Sequence, residues 1–374
     1  MSRKIKVLSV FGTRPEGIKM CPLVKEFEKR ENIESIVCVT GQHREMLDAV
    51  LKIFDVKPDY DLNIMKHGQG IVDISNKVLE GVSSVINDCK PDIVLVHGDT
   101  STTLNGALAS FYNGIPVGHV EAGLRSFDIN SPFPEEANRK LTGAIAQFHF
   151  APTNTNKLNL EKEGITKNVW VTGNTVIDAL LGVVDTNYIF ENEYLNTLDF
   201  ENKKIVLLTT HRRENWGEPM RNIFEAVTKL VDNNDDVEIV FPMHKNPTIR
   251  ELAHEYFDDY KNRVHLIEPL EYLDFANMMN KSYLIMTDSG GIQEEAPALG
   301  KPVMVLRTET ERPEAVEAGT VVLAGIDSCK IYNTANHLIQ DNIAYSNMSM
   351  ASNPYGDGTS CKQIADIISE HFKF

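Results

Sequence analysis

The chain has 374 residues, with 53 acidic side chains against 37 basic ones and a formal net charge of −16. That balance argues against a broad nucleic-acid footprint, so any anionic ligand has to be held by a few local cations. With 42% hydrophobic and 24% charged residues, the composition is that of a soluble globular protein with room for two domains of common size.

The chain opens on a strand pattern, KVLSVFG, without a signal-peptide core, and no apolar run reaches the ~18–20 residues of a membrane span. A cytoplasmic protein is expected. The cysteines, Cys21, Cys38, Cys89, Cys329 and Cys361, are odd in number and lack C-x-x-C spacing, which predicts reduced thiols. The histidines lack metal-ligand spacing, so no metal is expected.

Taken in order, the first strand leads into Gly12-Thr13-Arg14-Pro15-Glu16, with Lys19 one turn into the helix PEGIKMCPLVKEFEKR. Gly12 permits a tight turn, Pro15 suits a helix start, and Arg14 and Lys19 either face an anion or are simply solvated. The segment is neither G-x-G-x-x-G nor a Walker A loop, so nicotinamide and P-loop readings lose support. The strand candidates ESIVCVT and YDLNIM follow, then the helix DISNKVLEGVSSVINDC and the strand DIVLVHG. Asp99 stands just after that strand, either as cap of the next helix or as a working carboxylate. PVGHVEA ends in Glu121, and glutamate is a poor cap. In SPFPEEANR, Glu135 and Glu136 open a helix, where dipole stabilisation accounts for one of them. FHFAPT and NVWVTG complete the first alternation.

A polar stretch near residues 174 to 203 separates this half from a second alternation of KIVLLTT, VEIVFPM, VHLIEP, YLIMTD and PVMVLR. Its strand ends carry cations: His211, Arg212 and Arg213 after the first, His244 and Lys245 after the second, Arg312 after the last. The predicted fold is α/β, with two Rossmann-like domains, 1–173 and 174–359, facing a central cleft. The amphipathic stretch SCKQIADIISEHF makes the C-terminal helix, 360–374, a candidate to pack back on the first domain.

TDSGGIQEEAP combines an anion site with acids. The N–H groups of Ser289, Gly290 and Gly291 suit a diphosphate. Glu295, more than one turn on, is placed to accept hydrogen bonds from the vicinal hydroxyls of a ribose. A nucleoside diphosphate reconciles the two.

FGTRPEGIKM, GQHREML, VLVHGDTSTTL, PVGHVEAGLRS, PEEANR, TGNTVIDAL, HRREN, TDSGGIQEEAP, GKPV, ERPEA and NPYGDG occur in the order seen in non-hydrolysing UDP-N-acetylglucosamine 2-epimerases, which the chain resembles from about residue 5 to residue 370. The resemblance implies the glycosyltransferase-B architecture and reversible conversion of UDP-GlcNAc to UDP-ManNAc through a 2-acetamidoglucal, without nicotinamide or metal, for cell-surface polysaccharide. It makes Asp99, Glu121 and Glu135 the acid/base candidates and sets His211 at the departing phosphate. Arg14 and Lys19 line the sugar side, Ser289, Gly290, Gly291 and Arg312 hold the diphosphate, and Glu295 binds the ribose. Leu270 and Phe275 contact uracil. It also implies a homodimer and a second UDP-GlcNAc acting as allosteric activator on Gln42, His43, Gln69, Arg212 and His244. Gly68 stands where some relatives have an arginine. A UDP-sugar glycosyltransferase, a hydrolysing epimerase and a non-catalytic sensor are the competing readings.

Overall fold

The computed structural model describes residues 3–41, 44–66 and 68–373. It divides into two units, one running to Gly182 and taking up Tyr355 onward, the other spanning Val183–Pro354. Each is a Rossmann-like α/β unit. No helix among the described residues is long and apolar enough to cross a membrane.

The first unit contains β1 (Ile5–Phe11), β2 (Ile33–Val39), β3 (Tyr60–Asp61), β4 (Ile93–His97), β5 (Val117–Val120), β6 (Phe148–Ala151) and β7 (Val169–Val171). They form one parallel sheet in the order β3-β2-β1-β4-β5-β6-β7. Strand alternation sends Ile5, Val7 and Phe11 into a buried cluster with Phe148 and Phe150, while Leu8 and Val10 join Val94 and Val96 on the other face. Both faces are covered, which explains why β4 reads IVLV with no polar alternation.

The second unit contains β8 (Lys204–Thr209), β9 (Val237–Pro242), β10 (Val264–Ile267), β11 (Leu284–Thr287), β12 (Val303–Val305) and β13 (Val321–Leu323). Its parallel order, β10-β9-β8-β11-β12-β13, repeats that of the first six strands. In each sheet the order reverses at one place, between β1 and β4 and between β8 and β11. Open sheets of this kind bind ligands beyond the carboxyl ends of the strands at that point.

Three expectations need correction. YDLNIM yields only a two-residue strand, β3, at the sheet edge. β13 was not expected, because three residues are too few to show a period. The domain boundary also moves from 173/174 to 182/183, because the helix Thr175–Val183 buries Val176, Ile177, Ala179 and Leu180 and belongs to the first unit. Its Asp178 accepts a hydrogen bond from the Cys361 N–H at 2.9 Å, at the start of the C-terminal helix Ser360–His371.

Candidate active site

In the first unit, Thr13 caps the helix Arg14–Glu28, and Glu16 completes a capping box. Glu16 is buried, and its two oxygens accept four hydrogen bonds. Oε2 takes the N–H groups of Gly12 at 2.9 Å and Thr13 at 2.7 Å, while Oε1 takes the hydroxyls of Thr100 at 2.6 Å and Thr103 at 3.2 Å. A buried carboxylate needs such matching, and here it ties the end of β1 to the end of β4. Glu16 is absent from the predicted site, although its Thr-x-x-Glu spacing is visible in the sequence. Gly12 is needed for space rather than for a turn: a Cβ there would stand 1.9 Å from Thr40 Oγ1.

The cap of the helix Ser101–Tyr112 is Thr100, whose Oγ1 accepts the Thr103 N–H at 3.1 Å, so Asp99 is not the cap. The Asp99 carboxylate instead receives Arg139 Nε at 3.0 Å and Nη2 at 2.7 Å. Burial pushes the Asp99 carboxyl above the ordinary aspartate value; Arg139 pulls it back and Glu121 pushes it further up.

Glu121 follows β5 in the left-handed region at φ +63°, between Gly98 at +70° and Gly123 at +89°. Its Oε2 pairs with Lys19, accepts Asn174 Nδ2 at 3.1 Å and lies 3.5 Å from His97 Nε2. Burial opposes its ionisation most strongly, yet Lys19 and His97 together outweigh that and hold it well below the ordinary glutamate value. Asp99 and Glu121 are therefore driven in opposite directions. Behind them, burial lowers the His119 imidazole to about 3, and its Nε2 sits 2.7 Å from the Gly98 carbonyl.

The two glutamates of PEEANR separate cleanly. Glu136 is buried and accepts the N–H groups of Ser126 at 3.0 Å and Phe127 at 3.2 Å as well as Arg139 Nη1 at 3.1 Å. Glu135 is half-buried at the first position of the helix Glu135–Ile145. Arg14, also half-buried, opens the helix after Thr13.

In the second unit, Asp288 follows β11 directly, and a short helix, Gly290–Glu295, begins two residues later. The Ser289 N–H already donates to Thr287 Oγ1 at 3.0 Å, so it serves its own loop. Gly290 and Gly291 differ: no hydrogen bond from their N–H groups to a protein acceptor is found among the described residues. Neither has a positive φ. A Cβ on Gly290 would meet Arg212 Nη2 at 3.7 Å, and one on Gly291 would meet Glu295 Oε1 at 3.5 Å, both ordinary contacts. The fold therefore sets no steric or conformational demand for glycine at either position.

The polar side chains after these glycines have distinct tasks. Gln293 is fully buried, donating to the Ser289 carbonyl at 3.1 Å and accepting from Thr310 Oγ1 at 2.6 Å. Glu294 is buried and paired with Arg312. Glu295 turns its carboxylate back beside Gly291. Leu270 and Phe275 are half-buried around the start of the helix Tyr272–Lys281. His211 follows β8 with its side chain 47% exposed and Nδ1 3.2 Å from Asp288 Oδ1. Asp288 is absent from the predicted site, although an acid directly after a strand and just before two glycines is a usable signal.

Of the residues assigned to a second ligand, Gln42 and His43 lie outside the described residues. Gln69 Oε1 accepts from Lys77 Nζ at 2.9 Å, beside an exposed Gly68. Arg212 lies 3.5 Å from Glu311, and His244 is exposed after β9.

A family model described as UDP-N-acetylglucosamine 2-epimerase matches residues 25–369. A UDP-N-acetylglucosamine 2-epimerase of Bacillus subtilis is 54% identical over 373 residues, covering 100% of this chain and 97% of the relative. The crystal structure of UDP-GlcNAc 2-epimerase from Neisseria meningitidis bound to UDP-GlcNAc superimposes with a TM-score of 0.90 at 47% identity, covering 98% of this chain and 100% of that one. The Methanocaldococcus jannaschii UDP-GlcNAc 2-epimerase in complex with UDP-GlcNAc and UDP gives 0.73 at 36% identity, with 98% and 100% coverage.

Proposed function

The chain belongs to the UDP-N-acetylglucosamine 2-epimerase family, and from that premise we propose that it interconverts UDP-GlcNAc and UDP-ManNAc by the non-hydrolysing route. A carboxylate takes the C2 proton, and the C1–O bond breaks with its electron pair on UDP. The C1=C2 bond of 2-acetamidoglucal forms. UDP then adds back at C1 while C2 is protonated on the opposite face. This acid–base route calls for neither nicotinamide nor metal.

The observation that carries the reading is the pair of neighbouring strand-end carboxylates set apart electrostatically. Proton transfer uses such contrasts. Asp99, pushed up, suits a group that gains and loses a proton; Glu121, held ionised, suits one that organises charge; Glu135 is the third candidate. Arg14 and Lys19 serve the sugar, and His211 the departing phosphate. Gly290, Gly291 and Arg312 receive the diphosphate, Glu295 the ribose, and Leu270 and Phe275 the uracil.

The test is an NMR time course with UDP-GlcNAc in D₂O. Deuterium is expected at C2 of both epimers, with UDP not accumulating and no acceptor needed. Product without solvent deuterium, or UDP released in step with free sugar, would overturn the route. The same assay started from pure UDP-ManNAc tests a second UDP-GlcNAc as activator on Gln42, His43, Gln69, Arg212 and His244. Slow turnover until a little UDP-GlcNAc is added is expected, and full velocity with no lag would exclude it.

Gly291→Ala tests the diphosphate loop. The added methyl has room in the protein as it stands, so the melting temperature is expected to stay within a degree or two of the wild type, on the order of a neutral surface change. UDP affinity by calorimetry is expected to fall ~10-fold or more, as backbone and phosphate are kept apart. Unchanged affinity would remove this glycine from the site.

A further inference from the structure

We propose that Asp288 positions His211 for the reaction, engaging the ring through Nδ1 and leaving Nε2 as the nitrogen offered to the ligand. The inference rests on the role proposed above for His211.

Asp288 is fully buried, and a buried carboxylate has to be matched by donors. Its Oδ2 receives the N–H groups of His211 and Arg212 and the Asn215 Nδ2, each at 3.0 Å, and the His211 N–H also reaches Oδ1 at 3.2 Å. Asn215 is buried as well, and its amide also donates to the Leu306 carbonyl at 3.1 Å. With these braces the carboxylate cannot follow the ring; the ring has to conform to the carboxylate. The His211 side chain is otherwise half in solvent, where a histidine without a partner samples several rotamers. A carboxylate 3.2 Å from Nδ1 selects one of them and holds a proton on that nitrogen, so the hydrogen bond a departing phosphate accepts comes from Nε2–H of the doubly protonated ring. The same side chain therefore joins the β8 end, which carries the histidine, to the β11 end, which carries the two glycines.

A double-mutant cycle separates positioning from a general structural role. Asp288→Asn and His211→Gln are each expected to lower kcat about 100-fold, on the scale of removing one transition-state stabiliser. The doubly substituted enzyme should be no slower than the slower single one. Losses that multiply to roughly 10⁴-fold would show Asp288 acting independently of His211 and overturn the proposal. If His211→Gln turns over like the wild type, the failure lies in the role given to His211. Should Asp288→Asn not fold, ¹⁵N-histidine NMR of the wild type decides, with the His211 signals assigned by their loss in His211→Gln. A protonated Nδ1 is expected, and a bare Nδ1 with the proton on Nε2 alone would overturn the proposal.

Discussion

Asp99→Asn and Glu121→Gln are each expected to lower kcat by ~10²–10⁴-fold, the range for a general acid or base removed without changing its shape. They should differ in stability. The amide introduced by Asp99→Asn would still offer an oxygen to Arg139, and Thr100, not Asp99, caps the following helix. The melting temperature of Asp99→Asn is therefore expected near that of the wild type. Glu121→Gln leaves Lys19 and His97 around a neutral amide, so stability should fall along with activity. The sign with pH follows from the direction of the shift. A carboxyl whose folded value is depressed contributes stability that is present above the ordinary glutamate value of 4.5 and is lost as pH falls through the folded value. The stability gap between wild type and Glu121→Gln should therefore be widest near neutrality and close on strong acidification. For Asp99, raised by burial, the sense is reversed: ionisation costs stability as pH rises through its window. Denaturant titrations across pH check both, and wild-type turnover by either variant would end its catalytic assignment.

Gly123→Ala is expected to destabilise the first unit by about 3 kcal/mol or more, because two costs combine. The residue sits at φ +89°, where L side chains are strained. Its Cβ would also stand 2.2 Å from the Asn156 carbonyl oxygen and 2.7 Å from the carbonyl carbon. That obstacle is backbone, in the first turn of the helix Asn154–Lys162, whose cap Thr153 and Asn156 side chains hold each other. Asn159 Nδ2 also grips the Gly123 carbonyl at 3.1 Å, so neither side can yield cheaply. Glu121, two residues earlier, would move with any adjustment, and turnover should fall too. Chemical denaturation is the measurement, and a midpoint equal to that of the wild type would refute the steric argument.

Much of this was legible in the sequence because the chemistry lies just after strands, and strands buried on both faces announce themselves as apolar runs. Asp99, Glu121, His211 and the Gly290–Gly291 pair stand where VLVHG, VGHV, VLLTT and LIMT stop. Side chains that act through others were harder to find. Glu16 reads as an ordinary helix-start acid until the Thr100 and Thr103 hydroxyls, more than eighty residues away, are seen on it. Asp288 needed the β8–β11 pairing to bring His211 to it. Glu135 and Glu136 could not be ranked from sequence, since their division of labour depends on the Ser126 and Phe127 amides. The edge strands β3 and β13 were misread because two or three residues carry no period.

The return of the C-terminal segment to the first unit imposes an order on synthesis. Ile364, Ala365 and Ile368 share a buried cluster with Leu23, Val24 and Phe27, and Asp366 meets Arg30 at 2.6 Å. The half translated first therefore cannot close its core until the ribosome has delivered these last residues. The second unit, contiguous from Val183 to Pro354, has all its strands while the first still waits. At roughly 5–20 residues per second that wait lasts on the order of 10–40 s. During it, the part of the helix Arg14–Glu28 that Ile364, Ala365 and Ile368 will cover stays exposed on the nascent chain, a surface suited to a holding chaperone.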